Sequence, residues 1–208
     1  MKTIEYFYAA YSGYAYIGSA LFQRIASEGG AKVVHRPFHL RTLVAARGNA
    51  DRVQDPVYRS YAFRREIERW AEYRGVRTLL RTPTHHHASY ETANRMLIAC
   101  GETDPGTDRL AHAFLEAHWA RDADLSDVET IKALADSVGL DGAALQEAAA
   151  APEIGARHEE NTAEAIERGF FGSPTYVVDG DVFYGQDRLE MVARALERPF
   201  ENKWAALS

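Results

Sequence analysis

The chain has 208 residues, of which 46% are hydrophobic and 26% charged, and its formal net charge is −6. This size suits one globular domain, or one domain with an inserted subdomain, and the acidic balance argues against a nucleic-acid partner. The single cysteine, Cys100, excludes an internal disulfide and a CxxC redox pair. Because we find neither a signal peptide nor an apolar run of roughly 20 residues, we expect a cytoplasmic protein with no membrane partner.

The first predicted element is a buried strand over residues 3–10, which are aromatic and β-branched and precede a Ser-Gly pair. Apolar residues at every fourth position then predict a helix from Tyr14 to about Ser27. The segment "AKVVHRPF", residues 31–38, predicts a second strand. Strand, helix and strand in this order form a βαβ unit with parallel strands.

The middle of the chain, from about Pro56 to Arg168, contains helical patterns and few strand signals. Its clearest helix has Asp55 as N-cap, Pro56 in the first turn and Gly75 as its end. Strand signals return at Phe170, where "SPTYVVDGDVFYG" predicts two strands joined by an Asp-Gly turn. The segment "QDRLEMVARALE" predicts a closing helix.

A βαβ half and a ββα half thus flank a run of helices. This order predicts an α/β protein with a thioredoxin-like fold (βαβ…ββα), interrupted by an all-helical insertion. We assign residues 1–45 and 169–208 to the thioredoxin-like domain and residues 46–168 to the helical insertion.

Ser12 stands where the first strand meets the first helix, in the segment "YSGYAY". The unpaired N–H groups and partial positive charge of a helix start favour a thiolate or another anion there. A serine cannot carry out redox chemistry, but its hydroxyl can donate a hydrogen bond to a thiolate. Position alone favours an ordinary N-cap serine and leaves the thiolate-holding role open.

Further candidates lie elsewhere in the chain. Pro174, directly before a predicted strand, suits a cis peptide bond that leaves the backbone of Ser173 free to pair with an extended ligand. The alternative is an ordinary trans proline that opens an edge strand. Asp187 is either the N-cap of the last helix or a carboxylate for an α-amino group. Arg47 and Arg59 could each bind a ligand carboxylate, although either alone is more often structural.

Three adjacent histidines, His85, His86 and His87, form a conspicuous motif. They cannot all reach one metal ion from a regular helix or strand, and no cysteine or carboxylate spacing accompanies them. We therefore predict no metal site and interpret the motif as a pocket wall or a polar loop.

Four segments together resemble the 2-hydroxychromene-2-carboxylate isomerase family, and the likeness runs nearly end to end. That family belongs to the DsbA-like thioredoxin superfamily and is close to kappa-class glutathione transferases. The segments are "YFYAAYSGYAYIGSALFQRIA", "ARGN", "REIERWAEYRGV" and "TAEAIERGFFGSPTYVVDGDVFYGQDRLEMV". Two features depart from the family pattern. Gly13 stands where proline is common, and the segment that contains the three histidines replaces an asparagine-rich one.

The resemblance implies glutathione as the cofactor, a homodimer, and a catalytic role for Ser12 in contacting and activating the glutathione sulfur. It implies that one pair of residues lines the glutathione or substrate pocket, that a cis-proline segment holds the cysteinyl part, and that a turn binds the γ-glutamyl part. These residues are, in the same order, Asn49 and Arg59, Ser173 and Pro174, and Gln186 and Asp187.

The resemblance implies a glutathione-dependent cis–trans isomerase acting on 2-hydroxychromene-2-carboxylate or a related aromatic-degradation intermediate, through reversible addition of the glutathione thiolate. The alternative is a kappa-like glutathione transferase, which consumes glutathione when it conjugates a small electrophile. A thiol–disulfide oxidoreductase is disfavoured, because Ser12 and Ala15 replace both cysteines of the usual motif. A non-catalytic protein that binds a thiol or a peptide strand is the remaining alternative.

Overall fold

The computed structural model describes residues 2–201 and contains a four-stranded sheet with the strand order β2-β1-β3-β4. The central strand β1 pairs in parallel with β2 and antiparallel with β3, and β3 pairs antiparallel with β4. The predicted βαβ and ββα halves are therefore confirmed. The strands are β1 (Thr3–Tyr8), β2 (Lys32–Pro37), β3 (Thr175–Val178) and β4 (Asp181–Tyr184).

Helices surround the sheet, and most of them belong to the segment between β2 and β3. The first and last helices follow β1 and β4, as expected. The α-helices are α1 (Gly13–Glu28), α2 (Leu40–Ala46), α3 (Ala50–Gln54), α4 (Pro56–Ser60), α5 (Glu66–Arg74), α6 (Glu91–Cys100), α7 (Pro105–Arg121), α8 (Val128–Ser137), α9 (Gly142–Ala149), α10 (Pro152–Glu167) and α11 (Leu189–Glu197).

Alternating side chains of β1 fill two cores, one on each face of the sheet. Tyr6 stacks on Tyr8 and on Tyr176 of β3, with ring centroids 4.1 Å and 5.3 Å apart. Phe7 points to the opposite face, where its ring lies 4.9 Å from that of Phe170. Because both faces are apolar, β1 is buried on both sides, as its continuous apolar sequence predicts.

The helix predicted to begin at Asp55 and to end at Gly75 is confirmed at both ends. The Asp55 carboxylate accepts a hydrogen bond from the N–H of Tyr58 at 2.7 Å, and Gly75 adopts a left-handed conformation with φ of 66°. A π-helical segment, Tyr61–Arg65, interrupts it between α4 and α5. The hydroxyl of Tyr14 donates to the carbonyl of Ala62 in this segment, so the interruption contacts the start of α1.

Two short helices, α2 and α3, were not predicted. Neither has a hydrogen bond from an N-cap side chain, and between them only Leu43 is buried. Without a capping signal or an apolar stripe, the sequence offers little to indicate them.

The helical segment packs directly on the thioredoxin-like part. One buried cluster contains Tyr8 and Leu189 from the flanking segments together with Met96 and Phe114 from the helices between them. All four strands lie inside the predicted 1–45 and 169–208 segments, although residues 202–208 lie outside the described part. Among residues 2–201, no helix combines the length and apolarity needed to cross a membrane.

Candidate active site

Ser12 is the N-cap of α1, which confirms the ordinary capping role. Its hydroxyl oxygen accepts a hydrogen bond from the N–H of Ala15 at 3.3 Å. Within residues 2–201, the N–H groups of Gly13 and Tyr14 have no hydrogen-bond acceptor. The helix start therefore keeps two free donors beside the serine, which is an arrangement that favours an anion.

The Ser12 hydroxyl also joins the helix start to the loop before β3. It donates to the carbonyl of Ser173 at 3.2 Å, and the Ser173–Pro174 peptide bond is cis, as predicted. The Ser173 hydroxyl in turn accepts a hydrogen bond from the N–H of Ala9 at 3.2 Å. We call Ser12, Ser173 and Pro174 the Ser12 site; its two serines are 5% and 7% exposed, so only a small part of each reaches the surface.

A buried asparagine fixes the turn that leads into Ser12. Asn94 on α6 accepts a hydrogen bond from the N–H of Ala10 at 2.9 Å. Its amide nitrogen donates to the carbonyl of Phe38 and faces Nε2 of His158, both at 3.1 Å. Because one backbone partner is an N–H donor and the other a carbonyl acceptor, they determine which amide atom of Asn94 is the oxygen. Through these bonds Asn94 connects the turn before Ser12 to α6.

The indole ring of Trp119 leaves no room for a side chain at the position after Ser12. A Cβ atom on Gly13 would lie 2.8 Å from Cζ2 of Trp119, which is too close for a carbon–carbon contact. The indole N–H of Trp119 donates to the carbonyl of Tyr11 at 2.8 Å, and this holds the ring in place. Gly13 therefore follows from the packing of α7 against the helix start.

Polar groups surround Tyr14 on one side of the Ser12 site. Burial raises the pKa of the Tyr14 hydroxyl, and the nearby Glu66, Tyr58, Tyr184 and Asp187 raise it further. The Asp187 carboxylate therefore lies within electrostatic range of the Tyr14 hydroxyl, at the far end of that side chain.

The prediction of Asp187 as the N-cap of the last helix is wrong. Gly185 has φ of 97° and opens a 3-10 turn over Gln186–Arg188, without a hydrogen bond from a capping side chain. The carboxylate of Asp187 instead pairs with the guanidinium of Arg188 at 2.9 Å, and α11 begins only at Leu189.

Gln186 is buried, with 1% of its surface exposed. Its side-chain carbonyl accepts a hydrogen bond from Nε of Arg74 at 3.1 Å, and its backbone carbonyl accepts another from the same guanidinium at 3.2 Å. Arg74 also pairs with Glu190. In this arrangement the Gln186 side chain anchors the turn from inside.

The two candidates near residue 48 differ in what they contact. Arg47 donates to the carbonyls of Phe170 and Ile166, the first at 3.0 Å, and so has a structural role. Asn49 is half-buried at the start of α3, and no hydrogen bond joins its side chain to the Ser12 site in the described chain.

Arg59 is the remaining candidate, and it lies on α4. It is half-buried, and among residues 2–201 it forms no ion pair with a carboxylate. Its charge contributes to lowering the pKa of His86, whose ring centroid lies 5.1 Å from that of Tyr11. Arg59 is therefore a cation without a carboxylate partner in the described chain, and its charge acts on His86.

The histidine motif does not converge on one point. Nδ1 of His85 faces the carboxylate of Asp124 at 3.2 Å on the surface, and His86 turns inward to His118. The absence of a metal at this motif stays a prediction.

A different cluster brings possible metal ligands together: atoms of His39, His158 and Glu159 lie within 4.8 Å of one another. The hydrogen bonding of His158 determines whether this cluster can bind a metal ion. The amide N–H of Asn94 is directed at Nε2 of His158, so that nitrogen accepts a hydrogen bond and the proton of the neutral ring resides on Nδ1. Neither nitrogen then offers a free lone pair, and we propose no metal here.

His158 makes stability depend on pH. Burial, with the charges of His39 and Arg95, lowers its pKa to about 3, whereas an unfolded histidine titrates near about 6.5. As the pH falls, His158 takes up a proton in the unfolded chain before it does so in the folded chain. Its contribution to the unfolding free energy is therefore complete above about pH 6.5 and declines as the pH falls towards 3. We expect the unfolding free energy to fall in this window by up to about 1.4 kcal/mol per pH unit more for wild type than for His158→Gln. Urea denaturation at several pH values measures the two slopes, and equal slopes would contradict the assignment.

A surface cavity of about 490 Å³ is lined by residues of α4 and the π-helical segment. It shares no lining residue with the Ser12 site, so we do not assign the chemistry to it. Its lining residues are Pro56, Val57, Ser60, Tyr61 and Arg65.

A capped helix start facing a cis-proline loop across a four-stranded mixed sheet defines a thioredoxin-superfamily domain. The chain belongs to the family described as the DSBA-like thioredoxin domain, whose model matches residues 3–197.

Similar proteins confirm the resemblance noted in the sequence. The chain is 27% identical over 196 residues to a 2-hydroxychromene-2-carboxylate isomerase of Sphingobium xenophagum, covering 92% of this chain and 96% of that one. It is 25% identical to a protein of the same name from Pseudomonas putida, covering 94% of each. A solved structure of 2-hydroxychromene-2-carboxylate isomerase superposes with a TM-score of 0.80 at 22% identity, covering 94% and 95% of the two chains.

Several residues around Ser12 were missed in the sequence. Asn94 lies in an ordinary helical pattern, and Trp119 and His118 look like core residues of α7. The histidine motif is conspicuous in the sequence, but nothing there indicates that His86 pairs with His118 of α7.

Proposed function

We propose that this protein is a glutathione-dependent cis–trans isomerase acting on 2-hydroxychromene-2-carboxylate or a related aromatic-degradation intermediate. The relatives' names support the isomerase class and the aromatic substrate. The observation that carries the glutathione proposal is the Ser12 hydroxyl, which lies at a helix start and is hydrogen-bonded to the Ser173 carbonyl.

The donor set fits glutathione. A thiolate needs hydrogen-bond donors, and the Ser12 hydroxyl with the N–H groups of Gly13 and Tyr14 supplies them. A peptide N–H needs an acceptor, and the Ser173 carbonyl is one. Ser12 and Ser173 satisfy each other in the structure; in the proposal, both exchange this bond for bonds to the ligand.

The remaining site residues take roles that follow from where they lie. The Asp187 carboxylate, near Tyr14, is proposed to receive the α-amino group of glutathione, and Pro174 shapes the edge on which the cysteinyl part lies. Gln186 is proposed to act indirectly, by anchoring the turn through Arg74. Asn49 is proposed to lie at the rim of the pocket.

When bound, glutathione supplies a nucleophilic thiol that can add reversibly to a conjugated carbon and so allow rotation about the former double bond. Ser12 and the α1 start stabilise negative charge on the sulfur. Because donors aimed at a charge lower the pKa of the group that carries it, these residues raise the ionised fraction near neutral pH.

The test is an assay of trans-product formation with catalytic amounts of glutathione, together with a count of free thiol. We expect product to form only with glutathione, while the thiol concentration stays constant. Thiol loss in step with substrate loss would instead indicate a kappa-like transferase. Absence of any turnover would overturn the enzyme assignment.

We propose that Arg59 binds the substrate carboxylate, because it is a cation without a carboxylate partner in the described chain and its charge acts on His86. Losing a charge-assisted hydrogen bond is expected to raise the substrate KM of Arg59→Gln about 10-fold or more, with little change in glutathione affinity. Arg64→Gln is the matched control, since Arg64 is exposed. If Arg59→Gln weakens glutathione and leaves the substrate KM unchanged, Arg59 belongs to the cofactor site.

A homodimer and a cytoplasmic location remain proposals that rest on the resemblance. Light scattering of the purified protein gives the oligomeric state directly: a mass of twice the chain supports the dimer, and the mass of one chain rejects it.

A further inference from the structure

Two histidines and a backbone carbonyl form a hydrogen-bonded chain beside the Ser12 site. Nδ1 of His118 lies 3.1 Å from the carbonyl oxygen of Ala123. A carbonyl can only accept, so Nδ1 of His118 carries a proton. Burial lowers the pKa of His118, and in its neutral ring Nε2 is left as an acceptor.

His86 completes the chain. Its Nδ1 lies 3.1 Å from Nε2 of His118, so Nδ1 of His86 must donate, and Nε2 of His86 is left with a lone pair. In the described chain this nitrogen has no hydrogen-bond partner, and it is not among the enclosed polar atoms that lack one. Nε2 of His86 is therefore at least partly open to solvent.

The surroundings of His86 keep it neutral. Burial, followed by the charges of His118, His87, Arg41 and Arg59, lowers its pKa to about 3. Nε2 therefore keeps its lone pair near neutral pH, and the negative charge of a bound substrate carboxylate would raise the pKa of His86 towards the range that a catalytic base needs. The aromatic rings against His86 are those of Tyr11 and Trp119.

Arg41 holds the histidine segment against the residue before Ser12. Its guanidinium donates to the carbonyls of His86 and His87 at 3.0 Å and 3.3 Å. The same group stacks over the rings of Tyr11 and Tyr90, 5.4 Å and 5.1 Å from their centroids. His86 is thus presented on a braced loop, as a positioned base requires.

We propose that Nε2 of His86 is the proton acceptor for the 2-hydroxyl group of the substrate hemiketal, an inference that rests on the proposed function. In a 2-hydroxychromene-2-carboxylate the hydroxyl and the carboxylate share one carbon. The charge of Arg59 acts on His86, so a carboxylate bound by Arg59 would lie in the same region as His86, together with the hydroxyl on the same carbon.

The step balances without another reactant. Nε2 of His86 takes the hydroxyl proton, and the O–H electron pair forms the C2=O double bond. The bond between C2 and the ring oxygen breaks, and its electron pair leaves on that oxygen as a phenolate. The His86 imidazolium then returns the proton to the phenolate oxygen, which gives the ring-opened keto acid.

The first test needs neither substrate nor glutathione. In the wild-type protein labelled with ¹⁵N-histidine, we expect His86 to be neutral at neutral pH, with the proton on Nδ1 and a bare Nε2. In His118→Asn, whose shorter side chain does not extend to the position of Nε2 of His118, we expect the His86 tautomer with the proton on Nε2 to gain population. A wild-type His86 that is protonated on Nε2 would overturn the proposal.

The second test measures ring opening without glutathione, by trapping the keto acid of 2-hydroxychromene-2-carboxylate with semicarbazide. Asparagine at position 86 keeps a donor for His118 and removes the base, so His86→Asn is expected to slow the catalysed opening about 100-fold. His87→Asn makes the same change at the exposed neighbour and is expected to behave like wild type.

The outcomes separate this inference from the proposed function. If ring opening depends on His86 but isomerisation does not require glutathione, the role of His86 as a base is supported and glutathione as cofactor is rejected. Isomerisation that requires glutathione, with equal ring opening in wild type and His86→Asn, keeps the cofactor and rejects the base. A wild-type protein that does not speed ring opening also rejects the base.

Discussion

Replacing Ser12 by alanine is expected to lower kcat for the trans product about 100-fold, because one donor to developing negative charge is removed. Glutathione should still bind, since the backbone of Ser173 and the carboxylate of Asp187 are unchanged. The result therefore appears in kcat and not in the glutathione Kd. Steady-state kinetics at saturating glutathione measure it.

Ser19→Ala is the matched control for this change. Ser19 is also buried in α1, and its hydroxyl donates to the carbonyl of Tyr16 at 2.8 Å, away from the helix start. We expect its kcat to stay close to that of wild type. Because Ser12 is also a cap, its loss costs about 1 kcal/mol of stability, and the folded fraction is checked before kinetics. An unchanged kcat in Ser12→Ala would contradict the role of the hydroxyl.

Replacing Asn94 by leucine is expected to destabilise the fold by about 3–5 kcal/mol, among the larger effects of a single substitution. The leucine leaves the N–H of Ala10, the carbonyl of Phe38 and Nε2 of His158 without their partner. Each buried polar group left unpaired costs about 1–3 kcal/mol. Urea denaturation gives the change in unfolding free energy.

Asn161→Leu provides the comparison at an equally buried asparagine. The amide nitrogen of Asn161 donates to the carbonyl of Pro37 at 3.0 Å, and its side-chain oxygen has no partner among the described residues. Only one bond is lost, so the expected cost is about 1–2 kcal/mol. Equal losses in the two variants would show that Asn94 is not the central clamp of the turn before Ser12.

The local signals of the sequence predicted much of the fold, because each acts over a few residues. Asp55 and Gly75 bounded their helix as capping chemistry requires, and the apolar run of β1 indicated a strand buried on both faces. The sequence predicted that Ser12 follows a strand and Pro174 precedes one, but not that these strands pair. The structure shows that β1 and β3 are adjacent, so the ends that carry these residues meet. The 3-10 turn at Gly185 was missed, because a glycine with positive φ competes with the capping signal of Asp187.

The rest of the site depends on contacts between distant segments. Asn94 joins α6 to the turn after β1, Trp119 of α7 occupies the space beside Gly13, and His86 pairs with His118 across a loop and a helix. Periodicity places such residues on a helix but does not identify their partners. For this reason the polar surroundings of Ser12 emerged only from the structure.

The central claim is that Ser12 holds a glutathione thiolate, and a titration of glutathione into wild type and Ser12→Ala near neutral pH tests it most directly. Heat reports binding, and ultraviolet absorbance reports the thiolate. We predict that wild type binds glutathione with the thiol pKa below its free value of about 8.5, and that Ser12→Ala binds it without the thiolate signal. Absence of binding to wild type, or the same thiolate signal in both proteins, would contradict the claim.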